Sequence, residues 1–187
     1  MTLLLSVLQS LFAALTTQIL QSDFTMTVAA NNAQPISYNG TIVLRNDSFM
    51  LVMPGVTAAY DGKTLYMYQE EVDELTLSYP TQEELLQTNP MLYAQAIAPL
   101  CHINERNTNN ETIITLSPKN TSEPLTNNIL GITLKVQNDH LTPSFIEVRD
   151  RQSTTQLHFH SPAYTNTHIS FSLSEQDFPN SYINDLR

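Results

Sequence analysis

His158-Phe159-His160, with a third histidine at His168, is the grouping in this chain best suited to hold a metal ion. Alternation along a strand puts His158 and His160 on one face. A hairpin across residues 161–166 would bring His168 close, and two or three imidazoles suit zinc. An exposed polar strand face explains the same residues with no metal. Cys101 is followed by His102, yet a nucleophilic thiolate needs a stabilising charge and a third, orienting group. Ala98-Pro99-Leu100-Cys101-His102 supplies neither, and a small buried thiol at the start of a strand accounts for it. Asp61 belongs to a turn and Glu83-Glu84 to a helix start, so neither makes a carboxylate pair for acid–base work. No nucleophile elbow, P-loop or dinucleotide fingerprint occurs. The expectation is a protein without enzymatic activity, cofactor or metal.

The overall charge narrows the partners. Over 187 residues the formal net charge is −10 with only eight basic residues. Binding nucleic acid requires Lys and Arg to displace counterions, so that class is excluded. Standing adsorption to an anionic membrane is disfavoured for the same reason. Apolar residues make up 41% and charged residues 14%, which suits one globular domain spanning 1–187 with a sizeable core. Excess acid then keeps exposed apolar surface soluble.

The elements that would position any site are mostly strands. Tyr60-Asp61-Gly62-Lys63 lies between β-rich runs, and Asp-Gly there signals a tight hairpin because Gly supplies positive φ. A second turn at residues 69–71 returns the chain. Strands are expected at 24–28, 36–44, 48–53, 57–60, 63–68 and 72–79, then at 100–104, 112–118, 129–136, 141–149, 154–160 and 167–171. Between the two groups, Thr81 with Glu84 three residues on reads as a capping box, and a further short helix follows Pro90. At the amino end Leu4, Leu8, Leu11, Leu15 and Ile19 form one helical stripe, predicting an amphipathic helix running to Gln21. The rival reading is a signal segment, since residues 3–15 have the length of its apolar region but no preceding Lys or Arg. They are too short to span a membrane.

A sheet of about ten or eleven antiparallel strands drawn from these twelve candidate segments must curl or split into layers. Three helices are too few to cover both faces but enough to plug a concave one. The fold class expected is therefore α+β: a strongly curved antiparallel sheet, an unclosed β-barrel, with a helical lid over its concave face. Either an apolar hollow lies under the lid, where small molecules commonly bind, or the layers pack solidly.

Several motifs carry a family resemblance. Asn39-Gly40-Thr41-Ile42-Val43-Leu44-Arg45, Phe49-Met50-Leu51 and Tyr60-Asp61-Gly62-Lys63-Thr64-Leu65-Tyr66-Met67-Tyr68 resemble the core of the LolA family of periplasmic lipoprotein carriers. Pro80-Thr81-Gln82-Glu83-Glu84-Leu85-Leu86-Gln87-Thr88-Asn89-Pro90 is similar to the strand-to-helix segment of carriers from Bacteroides-like bacteria. Phe24-Thr25-Met26-Thr27-Val28 fits the first strand, Asp150 the turn before a late hairpin, and Phe171-Ser172-Leu173 the last strand. The resemblance implies an unclosed barrel with a helical lid. It also implies a function without catalysis: a periplasmic monomer that carries acylated lipoproteins from an inner-membrane ABC transporter to an outer-membrane acceptor. A lipid-binding or sensory module on the same scaffold, ferrying nothing, is the alternative.

On that reading the lipid-cavity residues expected from alternation are Phe49, Leu51, Met53, Tyr66, Tyr68, Leu75 and Leu77. From the helices, Leu85, Leu86 and Met91 join them, and Leu8, Leu11 and Leu15 form the underside of the lid helix. An ordinary packed core explains the same residues. In the family a basic residue near Arg45 reaches lid carbonyls and holds the empty carrier closed, so Arg45 is the expected lid latch. The usual basic-Pro pair is replaced here by Arg45-Asn46-Asp47, and a solvated arginine beside a turn is the alternative.

Overall fold

The computed structural model describes residues 6–187, so Leu4 of the amino-terminal stripe lies outside the described residues. Helix α1 (Val7–Thr17) opens on a capping box: the Ser6 hydroxyl accepts the Gln9 N–H, and the Gln9 side chain accepts the Ser6 N–H. It stops earlier than the stripe predicts. Gln18 is already extended, and Ile19 and Leu20 are buried on strand β1 (Ile19–Ala30), paired with Thr165 and Tyr164 of a late strand. Cross-strand partners outweigh the local helical period.

The following strands are β2 (Ile36–Arg45), β3 (Ser48–Met53), β4 (Val56–Tyr60), β5 (Leu65–Gln69) and β6 (Glu74–Ser78). Helices α2 (Gln82–Thr88) and α3 (Pro90–Ile97) come next, then a 3-10 turn at Ala98–Leu100. Strands β7 (Cys101–Asn107), β8 (Glu111–Pro118), β9 (Ile129–Gln137), β10 (Thr142–Asp150), β11 (Ser153–Thr165) and β12 (Tyr182–Asp185) complete the chain. They form one open sheet in the order β12-β6-β5-β4-β3-β2-β1-β11-β10-β9-β8-β7. All pairs are antiparallel except β12 with β6, which is parallel.

Two expectations change here. Residues 167–171 form no strand, and the final strand is β12, reached after the chain crosses to the far edge of the sheet. The Asp-Gly hairpin is a four-residue loop, since Tyr60 pairs with Leu65. Gly62 takes φ +96° within it, and Asp61 organises the rest. One Asp61 carboxylate oxygen accepts the N–H groups of Lys63 (2.9 Å) and Thr64 (2.7 Å), and the other accepts the Tyr66 hydroxyl (3.0 Å).

One short helix touches strands far apart in the sheet, which only a curled sheet allows. On β7, the Glu105 carboxylate accepts the N–H groups of Val7 (3.2 Å) and Leu8 (3.0 Å) at the start of α1. The Asn46 N–H, in the β2–β3 turn, donates to the Leu15 carbonyl at 2.7 Å. From β2 to β7 is six steps along the strand order, about 29 Å in a flat sheet. Leu8 to Leu15 spans only about 10 Å of helix. The result is the unclosed barrel expected, with α1 across its open side. No helix among the described residues is long and apolar enough to cross a membrane.

Gly40 on β2 sits where a Cβ would collide with the Val52 carbonyl oxygen and with a Phe24 ring carbon at 2.9 Å. Because one obstacle is backbone, Gly40→Ala is expected to lower stability by about 2 kcal/mol or more in urea unfolding. The Asp61 loop generates a pH prediction. Burial works against its charge, but the Thr64 and Lys63 N–H groups and the Tyr66 hydroxyl outweigh it and hold the carboxyl below its ordinary value. A depressed folded value stabilises above the ordinary range near 4 and is lost as pH falls through it. The stability advantage of the wild type over Asp61→Asn should be full at neutral pH and vanish in acid.

Candidate functional site

Strand register sorts the candidate lining residues onto two faces. Phe49 opposes Tyr60, which opposes Leu65, and Leu51 opposes Ala58, which opposes Met67. Side chains of directly opposed residues share a face, so this set looks inward. Met50, Ala59, Tyr66 and Leu77 form the matching outward row, as do Tyr68 and Leu75.

The inner face carries the larger apolar core. Phe49, Leu51 and Met53 pack there with Leu20, Phe24, Ile114, Leu134, Ile146 and Leu157. Leu8, Leu11 and Leu15 from α1 join it, with Leu85, Leu86 and Met91 from α2 and α3. Leu11 is 0% exposed and Leu15 4%, so the helices bury their apolar stripe against the sheet. The open hollow expected under the lid is thus filled: its space is taken by the lid's own side chains.

Tyr66, Tyr68, Leu75 and Leu77 do not belong to that lining. They form a second cluster on the outer face, covered by Leu173, Phe178 and Ile183 of the C-terminal segment. Phe178 stacks on Tyr68 with ring centroids 4.2 Å apart. Adding β12 beside β6 fixes this cover, through Tyr182 N–H to the Asp73 carbonyl and Leu186 N–H to the Leu77 carbonyl, both at 2.8 Å.

Arg45 is likewise re-placed. It lies one residue past the core residue Leu44, pairs with Ser48 and is exposed. Among the described residues its side chain makes no hydrogen bond or ion pair. The neighbouring Asn46 holds the lid instead, through its backbone N–H, with φ +52°. The second tie, Glu105, is a residue that sequence reading missed. A carboxylate suits the positive end of a helix whose own first turn has no acid, but nothing local links residue 105 to residue 7.

On the other side of the lid, Tyr93 of α3 donates its hydroxyl to the Leu125 carbonyl at 2.9 Å. Burial, aided by the charges of Asp150 and Cys101, pushes the Tyr93 hydroxyl up to about 12, so it stays a donor. Tyr93 and Leu86 wall a cleft of about 540 Å³ with Leu125 and Ile129, rimmed by Glu83, Asp150 and asparagines. This is the opening beside the inner core that the helices leave.

The histidines do not converge. His158 and His160 lie on the exposed face of β11, with His158 against Phe145 and His160 bonded to Thr25 at 2.8 Å. His168 is elsewhere, in a cleft beside Arg45, Asp47 and Asp61, because β11 runs straight on to Thr165 where a hairpin was expected. No group of three metal-ligating side chains occurs among the described residues. Cys101 is buried in the inner core, and burial pushes its thiol up against a smaller pull from Lys119.

No family model matches this sequence, and no curated protein is similar to it. Solved structures are similar in fold. An uncharacterized conserved protein from Thermus thermophilus superposes with a TM-score of 0.57 at 8% identity, over 95% of this chain and 96% of that one. A LolA superfamily protein from Nitrosomonas europaea gives 0.39 at 10% identity, covering 91% of this chain and 96% of that one. Lipoprotein LppX from Mycobacterium tuberculosis gives 0.44 at 9%, covering 89% and 98%. Of these three only the first exceeds 0.5, and at its identity it shows a shared fold alone. The open sheet with helices across its inner face is the architecture the family resemblance implied. The fold is an unclosed, helix-covered sheet shared with the Thermus thermophilus protein.

The two ties on α1 can be tested separately from the core. Glu105→Ala should speed hydrogen exchange at the first α1 amides severalfold while the β10 and β11 amides stay protected. Arg45→Leu should change neither; faster exchange in α1 on replacing Arg45 would restore it as the latch.

Proposed function

We propose that this chain binds the acyl chains of lipids or lipid-modified proteins in the space its helices now fill. We further propose that it acts in the periplasm as a monomeric carrier, taking acylated lipoproteins from an inner-membrane ABC transporter and delivering them to an outer-membrane acceptor. One observation carries the reading: the helices bury their leucines on the inner face of an open sheet, and α1 is tied down by few polar contacts.

The energetics favour exchange of lid for ligand. Exposing Leu8, Leu11 and Leu15 costs roughly 1.5–3 kcal/mol each, about 5–9 in all. An acyl chain of about fourteen methylenes gains about 11 kcal/mol on leaving water, at roughly 0.8 per methylene. One chain therefore offsets displacement of α1, and several chains exceed it. Aliphatic and Met side chains adapt to varied chains and allow release. An exposed Arg45 leaves the lid without the family's side-chain latch, which supports the alternative of a module that holds lipid without passing it on.

Transfer separates the two. The chain should extract acylated lipoprotein from inner-membrane vesicles into a soluble complex and release it to outer-membrane vesicles bearing an acceptor. Acyl ligand should raise the unfolding temperature by several degrees while α1 amides lose protection. A soluble complex that never releases its cargo assigns the non-transporting module. Absence of any complex with lipid or lipoprotein ends both readings.

A further inference from the structure

Asn89 joins α2 to α3 and starts α3 with its oxygens. Oδ1 accepts the Met91 N–H at 2.9 Å, and the backbone carbonyl accepts the Tyr93 N–H at 3.0 Å. The residue is 1% exposed, and its amide nitrogen Nδ2 has no hydrogen-bond partner among the described residues. Exchanging the amide's oxygen and nitrogen gives no relief, because Nδ2 would then face the Met91 N–H, donor against donor.

Capping does not require this group. Ser6 and Thr81 cap α1 and α2 with a hydroxyl oxygen, and serine serves as well as asparagine at that position. What asparagine adds is a pair of buried N–H bonds left unmade, a costly state that native proteins rarely keep without use. It is the one such side-chain atom among the described residues.

Its surroundings limit what could pair with it. Met91, Leu92 and Ala94 beside it in α3 belong to the inner core, so a partner must arrive within an apolar environment. Tyr93, one helical turn on, walls the cleft that opens beside that core. Glu83 and Asp150 at the rim of that cleft disfavour an anionic head group. A neutral acceptor fits: a carbonyl oxygen brings a lone pair and no charge to bury.

We propose that Asn89 Nδ2 donates to the ester or amide carbonyl of a bound acyl chain, so that this site distinguishes acyl ligands from alkyl chains of equal length. This rests on the acyl-binding reading and names the group that sets its selectivity. The donor waits unpaired in the empty protein and is satisfied when the carbonyl arrives.

The test compares 1-palmitoylglycerol with 1-hexadecylglycerol, which share chain length and head group and differ in the carbonyl. Wild type should bind the ester about fivefold or more tightly than the ether. Asn89→Ser keeps a capping oxygen and removes the donor, so it should bind both equally while unfolding at the same or a higher temperature without ligand. Asn89→Asp, which also caps and lacks the donor, replaces it if the serine variant fails to fold. Equal binding of ester and ether by wild type, or a preference surviving in the variant, overturns the assignment and leaves acyl binding intact. Failure of wild type to bind either lipid overturns both.

Discussion

The curled sheet holds α1 at both ends. A carboxylate from β7 receives its first N–H groups, and a backbone N–H from the β2–β3 turn donates to the Leu15 carbonyl. Those groups are orphans of any helix, unsatisfied by its own ladder, so the ties cost the helix nothing internally. They reach strands six steps apart in the sheet, which a trough allows and a flat sheet does not. The leucine stripe of the same helix then fills the trough. One short element therefore both bridges the trough and fills it.

Dividing the molecule by face makes that arrangement usable. The outer cluster of Ala59, Tyr66, Leu75 and Leu77 is sealed by residues that follow β11, and β12 pairs with the β6 edge that would otherwise be open. Rigidity is thus assigned to the outside, through aromatic stacking and backbone hydrogen bonds. The inside is closed chiefly by aliphatic contact, which is non-directional and can be replaced by any chain of similar chemistry. A lid of that kind opens without breaking a dense polar network. Its few polar groups, Glu105, the Asn46 N–H and the unpaired amide of Asn89, are where direction enters.

Short-range signals in the sequence were read correctly because their physics is local. Thr81 and Glu84 form the capping box their spacing announced, and Pro90 sits at the first position of α3. Ser48–Met53 is a strand over the expected residues, and Leu8, Leu11 and Leu15 share a buried face. Period two and period 3.6 are properties of a single segment and need no knowledge of neighbours.

Which way an alternating segment faces is a different matter. Lys63-Thr64-Leu65-Tyr66-Met67-Tyr68 alternates equally well with the tyrosines in or out. The choice fell outward because β5 registers with β4 through Tyr60–Leu65, and because the C-terminal chain supplied Phe178 to stack on Tyr68. The fate of Arg45, the coil at 167–171 and the tie from Glu105 to Val7 were equally out of reach. By itself the sequence determined where most of the strands and helices form and that they make an α+β curved sheet. The tertiary structure alone decided which faces meet, since those contacts join residues about a hundred positions apart and leave no mark on either segment alone.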